Sequence, residues 1–272
     1  MRALRWHAEQ RPFPAATLAV QPRTRGGDVP TAIDLTIRAG RETGPTITQV
    51  HGLACSLLEG PNADHQAQTK PWTAWPPRSE GKPHAGGSPA QLILRLNWLD
   101  DRTPPALAAE LPDRVRLGGS WFPVAGVRFT RCSYEDLASG PPFRSARLDC
   151  HRPTYFSRNG RDLPMPDPVL VVRSLGQRWN AFAPGPLVID TASLGALESS
   201  AVLTEMDGCT ESVSEQGRAL RTGFVGHCTI GLLSHSPQAS VYHFSALIRA
   251  AEYLGIGAGT TRGFGVVTGE CV

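Results

Sequence analysis

Lysine is nearly missing from this chain: of 27 basic residues only Lys70 and Lys82 are lysine, and the rest are arginine. A G+C-rich coding sequence produces that bias by itself. Its chemical consequence is that almost every cation is a planar guanidinium, which grips phosphate bidentately and stacks on bases. Also missing is any apolar run near the ~18 residues of a membrane span. The opening MRALRWHAEQRPFP has no apolar core of the secretion-signal type. A soluble, cytoplasmic chain with no membrane partner is expected. The six cysteines, Cys55, Cys132, Cys150, Cys209, Cys228 and Cys271, contain no pair at C-x-x-C spacing. That spacing argues against a zinc site, and a cytoplasmic setting argues for free thiols. No cofactor and no bound metal is expected.

What is present is enough apolar material for a core, 40% hydrophobic against 19% charged in 272 residues. That length suits one large domain or two small ones. The 28 glycines and 24 prolines imply many loops, and a net charge of +3 permits a nucleic-acid partner without requiring one.

Residues 1–29, ending in QPRTRGGDVP, read as an N-terminal extension with one strand at ATLAV (16–20). Alternation of Ile33, Leu35 and Ile37 predicts a strand over 31–39. Ile47, Val50, Ala54, Leu57 and Leu58 fall at helical spacing, with Pro45 in the first turn and Gly60-Pro61 as the stop. A Gly/Pro/His-rich loop spans about 60–89; a strand at 91–99, a short helix at 103–113 and two strands follow. The second half repeats the rhythm: a strand over 145–157, a helix over 166–182, strands at 202–206 and 223–233, a helix over 242–254 and a closing strand. Two halves of this order predict an α+β chain of tandem ferredoxin-like domains, 30–140 and 141–272, joined near SGPPF.

The most distinctive string is GIGAGTTRGFG, 255–265. It is not a Walker loop, because no terminal Lys-Ser/Thr follows. Nor is it a dinucleotide fingerprint, because the glycines do not fit G-x-G-x-x-G and a helix precedes them. Gly257, Gly259 and Gly263 let the backbone pass close to a polyanion and present N–H groups, and Thr260, Thr261 and Arg262 add donors. The plainer alternative is a tight helix-to-strand turn.

This string closing on GFG and a last strand, together with HGLACSLLEG (51–60), DHQAQTKPWTAWPP (64–77), LPMPDPVLVVRSLGQRWNAF (163–182) and RTGFVGHCTIGLL (221–233), resembles the precursor-crRNA processing endoribonucleases of the CRISPR-associated RAMP superfamily. The resemblance implies two ferredoxin-like domains and binding of a CRISPR repeat stem-loop. It also implies metal-independent cleavage that leaves a 2′,3′-cyclic phosphate and a 5′-hydroxyl. Such a reaction needs a base for the 2′-hydroxyl, an acid for the departing 5′-oxygen and a cation for the phosphorane.

The family pattern of a histidine, a short gap and Lys-Pro-aromatic-Thr assigns proton transfer to His65 and charge stabilisation to Lys70. His51, on the predicted helix, is the second histidine, with a hydrogen-bonded core residue as its alternative. Several family members carry a tyrosine on this helix, where this chain has Cys55; that departure favours His51 as the other half of an acid–base pair. Arg144, Arg147, Arg152, Arg158 and Arg161, interleaved with Tyr155 and Phe156, suit an RNA stem and its flanking bases, or else a solvated hairpin. Arg173 and Arg178 would track phosphates from the 166–182 helix.

Two other functions compete with the nuclease. One is a non-catalytic crRNA-binding scaffold, associated with other subunits of an interference complex. The other is a small-molecule enzyme using the glycine loop, which leaves the two-half pattern unexplained.

Overall fold

The computed structural model describes residues 29–39, 45–60, 63–64, 67, 69–80, 90–214 and 220–272; the strand expected at 16–20 lies outside them. The first half runs β1 (Thr31–Ala39), α1 (Ile47–Leu58), β2 (Trp72–Ala74), β3 (Arg78–Glu80), β4 (Ala90–Trp98), a 3-10 turn (Ala106–Ala108), β5 (Arg114–Leu117) and β6 (Ser120–Arg131). Strand β1 lies between β4 and β6 and is antiparallel to both. The sheet order is β2-β4-β1-β6-β5, with β3 also on β4.

Ile33, Leu35 and Ile37 point to one face and are fully buried, as the period of two requires. Helix α1 covers that face with Val50, Leu53, Ala54, Leu57 and Leu58. Full burial of each larger side chain is worth about 1.5–3 kcal/mol. A capping box between Thr46 and Gln49 starts the helix, so Pro45 precedes the cap instead of occupying the first turn.

Two expectations fail in this half. The helix over 103–113 is only the three-residue 3-10 turn, since Pro104-Pro105 and Pro112 bracket it and Leu107 alone is buried there. The 60–89 loop contains β2 and β3, which are too short to show a period.

Helix α2 (Tyr134–Ser139) follows, and the second half then runs β7 (Ser145–Thr154), the hairpin β8 (Phe156–Arg158) and β9 (Arg161–Leu163), α3 (Pro168–Phe182), α4 (Thr191–Ser200), β10 (Ala201–Ser214), β11 (Leu220–Leu232), α5 (Gln238–Leu254) and β12 (Val267–Cys271). Its main sheet has the order β10-β11-β7-β12. Both halves thus have the β-α-β-β-α-β order, with the first half's second helix shrunk to a turn, and the fold is tandem ferredoxin-like.

Each sheet has its own core. A buried polar joint ties them: Thr73 Oγ1 donates to Tyr253 O (2.8 Å), and Asn97 Nδ2 donates to Thr73 Oγ1 (2.9 Å) and Glu252 O (3.1 Å). The end of α5 is thereby fixed to the edge of the first sheet. Among the described residues no helix is long and apolar enough to cross a membrane.

Candidate active site

His51 lies on the second turn of α1 and faces the second half of the molecule. Its Nδ1 is 3.0 Å from the carbonyl oxygen of Thr261. A carbonyl only accepts, so Nδ1 carries a proton and the neutral ring keeps its lone pair on Nε2. Nε2 is 3.7 Å from Cys55 Sγ, one turn along the helix. Burial pushes the Cys55 thiol up, with Glu59 adding to the shift, so the thiol stays protonated and serves as a weak donor. Trp72 packs beside the imidazole at 5.4 Å between ring centroids.

Thr261 belongs to the 3-10 turn Thr260–Arg262, flanked by Gly259 and Gly263, both left-handed. The glycine string spends several of its amides internally. Gly257 N–H is donated to Ser174 Oγ (2.8 Å), Ala258 N–H to Tyr155 O (2.8 Å) and Arg262 N–H to Gly259 O (2.8 Å). At Gly257, with φ +72°, a β-carbon would run into the Tyr155 carbonyl. The glycines fold the loop back on itself and bring the Thr261 carbonyl to His51. Thr260 is buried and its Oγ1 has no hydrogen-bond partner among the described residues, so it is not an outward donor.

Arg152 and Arg262 converge on a small pocket of about 60 Å³ lined also by Ile47, Val50, Trp75 and Gly263. Ile47 and Val50 flank His51 on α1. Arg152 Nε is buried without a hydrogen-bond partner among the described residues. Two guanidiniums at a pocket beside an imidazole are suited to a phosphate.

The other expected residues are distributed less simply. His65 lies outside the described residues. Lys70 is engaged elsewhere: its Nζ is 3.1 Å from Glu59 Oε1 and donates to Asp64 O at 2.7 Å. Trp72 Nε1 also donates to Glu59 (3.0 Å). The Lys-Pro-Trp-Thr string therefore ends α1 and ties the two halves together, with the lysine's charge balanced by a buried carboxylate.

The arginines of 144–161 do not form one patch. Arg144 is exposed at the start of β7 and donates to Leu233 O (3.3 Å), and Arg147 is spent on Asp149 at 3.0 and 2.9 Å. Arg158 and Arg161 face each other, exposed, across the Asn159-Gly160 turn of β8–β9. Strand β7 separates these ends by about 3.3 Å per residue. Tyr155 and Phe156 are buried, with Tyr155 packed edge-on against Phe264 at 5.4 Å, so neither offers a face to a base. Arg173 forks Glu198 at 3.0 and 2.6 Å. Arg178 is turned inward, and burial pushes its guanidinium down to about 10.

Sequence reasoning missed Trp75 and His151. Trp75 stands under the Arg95 guanidinium at 5.2 Å and faces His151 at 6.3 Å. Burial lowers the His151 imidazole, whose Nε2 lies 2.8 Å from Thr268 Oγ1. No local pattern marks either residue; their pairing arises only where the two halves meet.

Residues 148–267 match the family model of the CRISPR-associated endoribonuclease Cas6. One similar solved structure is a Cas6 product complex, 27% identical, covering 88% of this chain and 99% of that one, with a TM-score of 0.70. A second Cas6 product complex is 27% identical over 90% and 100% of the two chains, TM-score 0.72. Thermus thermophilus Cas6 is 25% identical over 89% and 99%, TM-score 0.67. No curated protein matches the sequence. The resemblance to the CRISPR-associated endoribonucleases is therefore shown, and in structure it extends over both halves of the chain.

Proposed function

We propose that this chain, similar to Cas6 endoribonucleases along most of its length, binds the stem-loop of a CRISPR repeat and cuts precursor crRNA within it without a metal. The observation that carries the reading is His51, held through Nδ1 by the Thr261 carbonyl beside the pocket of Arg152 and Arg262. Held this way, the ring offers Nε2 to a substrate hydroxyl that displaces the weak Cys55 thiol contact. The imidazole takes the proton of the 2′-hydroxyl, whose oxygen bonds to the adjacent phosphorus. The bond from phosphorus to the 5′-oxygen breaks, and that oxygen takes a proton. The products are a 2′,3′-cyclic phosphate and a 5′-hydroxyl. Arg152 and Arg262 balance the charge that builds on the phosphorane. His65 is proposed as the complementary acid, and Lys70 supports the end of α1 through Glu59. The two domains of this reading are 30–140 and 141–272, joined near SGPPF (139–143).

The test is a repeat RNA with one deoxyribose just upstream of the cut. It should bind nearly as tightly as the all-RNA form and remain whole, whereas EDTA should leave cleavage of the normal repeat intact. Cutting of the deoxy form would end the mechanism. A scaffold would cut neither RNA.

A further inference from the structure

The face of the first sheet turned away from α1 is basic and carries an exposed aromatic ring. Asp34 and Arg38 of β1 share this face with Arg128 of β6, because Asp34 pairs with Arg128 and side chains alternate. Arg114 and Arg116 of β5 pair with Pro123 and Trp121 of β6 and join the same face. Arg38, Arg114, Arg116 and Arg128 are all exposed. Asp34, the carboxylate of β1 on this face, is already forked by Arg95 at 2.8 and 2.9 Å, so it does not offset them. Trp121 is 59% exposed, whereas Trp72, Trp75, Trp98 and Trp179 are each 7% or less. The Arg114 guanidinium sits 5.2 Å over the Trp121 ring.

We infer that this face is a second RNA-contact surface, on which single-stranded nucleotides flanking the cleaved stem stack on Trp121 while their phosphates meet the arginines. Exposed aromatics set among guanidiniums hold unpaired bases in this way without reading sequence. The occupant follows from charge, since an anionic chain with aromatic faces complements both features. Continuity with the cleavage site supports it. The β5–β6 turn touches α1, where Gly118 lies against the Gln49 side chain, two residues before His51. In this inference a strand leaving His51 passes around that edge toward Trp121. The inference rests on the RNA-cleaving reading only for the source of the strand.

The test uses the full chain and a labelled, unstructured RNA octamer followed by fluorescence anisotropy. The wild-type protein should bind the octamer. Trp121→Ala should weaken binding by about fivefold to a hundredfold, and Trp121→Phe should restore part of it. Arg114→Ala with Arg116→Ala should weaken binding and reduce its salt dependence. Attaching the octamer to a repeat stem-loop should raise affinity, and Trp121→Ala should erase most of that gain. If wild type and Trp121→Ala bind the octamer alike, or if neither binds it, the inference is overturned whether or not the stem-loop is cut. If Trp121→Ala converts a dimer into a monomer, the patch belongs to a second copy of this chain, and the inference is again overturned. Octamer binding by a wild-type protein that fails to cut the repeat would sink the nuclease reading and support this surface.

Discussion

The two halves share a strand order but carry opposite charge on their open faces. On the first sheet, Arg38, Arg114, Arg116 and Arg128 face away from α1. On the second, cross-strand pairing lines up Glu205, Asp207 and Glu211 of β10 with Asp149 of β7 and Glu270 of β12, while Arg147 is bound to Asp149. A polyanion is attracted to the first surface and repelled by the second. The halves differ on the helical side as well. The first contributes the imidazole, and the second contributes the loop that orients it. One topology, duplicated, thus has a half that carries the imidazole and a half that positions it.

The sharpest way to break that division is His51→Ala. Cleavage should fall by about 10²–10⁴-fold with repeat binding retained, read by single-turnover kinetics beside a filter-binding titration. A wild-type rate would remove His51 from the chemistry and return the role to His65.

Next in size is Gly257→Ala, which probes the positioning half. The new β-carbon meets the Tyr155 carbonyl in a left-handed backbone conformation. Denaturant unfolding should show a loss of about 1–3 kcal/mol. Cleavage should drop with it in the folded fraction, because the Thr261 carbonyl moves away from His51. An unchanged rate would mean the loop does not orient the imidazole.

Salt dependence compares the two open faces directly. Removing Arg38 and Arg128 should lower the slope of log K against log[salt] for single-stranded RNA, by about 0.7 for each phosphate no longer neutralised. Glu205→Gln with Asp207→Asn should leave the slope where it was. A larger change from the acidic face than from the basic one would reverse the comparison.

The smallest effect is expected at the joint. Burial raises the Glu252 carboxyl above its ordinary value, and Arg95 offsets this only in part. The folded chain therefore holds that proton to higher pH than the unfolded chain. The stability linked to this group is greatest below about pH 4.5 and is lost as pH rises through the raised value. Glu252→Gln should raise Tm at pH 7, and the difference should disappear near the acid end. A Glu252→Gln variant less stable at pH 7 would refute the sign.

The readable parts of the chain are those whose burial repeats with a period. Ile33, Leu35 and Ile37 announce β1, and the apolar stripes of α1, α3 and α5 announce those helices. Helix α4 was not readable, because Leu197 and Ser200 are its only buried residues, too few to form a stripe. Strands β2 and β3 have three residues each. In the site, His51 is legible as the second histidine, on the predicted helix, while His65 leads only through the motif resemblance. The Lys70 expectation came from a resemblance to a motif, and its partner Glu59 is a contact no spacing rule supplies.

By itself the sequence determined two α+β halves of like order, a helix bearing His51 and a glycine string that must turn sharply. These follow from local forces: side-chain periodicity, capping and backbone freedom. Only the tertiary structure decided that the Thr261 carbonyl meets His51 across 210 positions. It alone gathered arginines from three strands onto one face and left carboxylates on the other sheet. The physical reason is register. Which strands lie side by side, and which residues stand opposite one another, is set by the packing of the whole sheet against its helices, and a one-residue slip would turn every one of those charges to the other face.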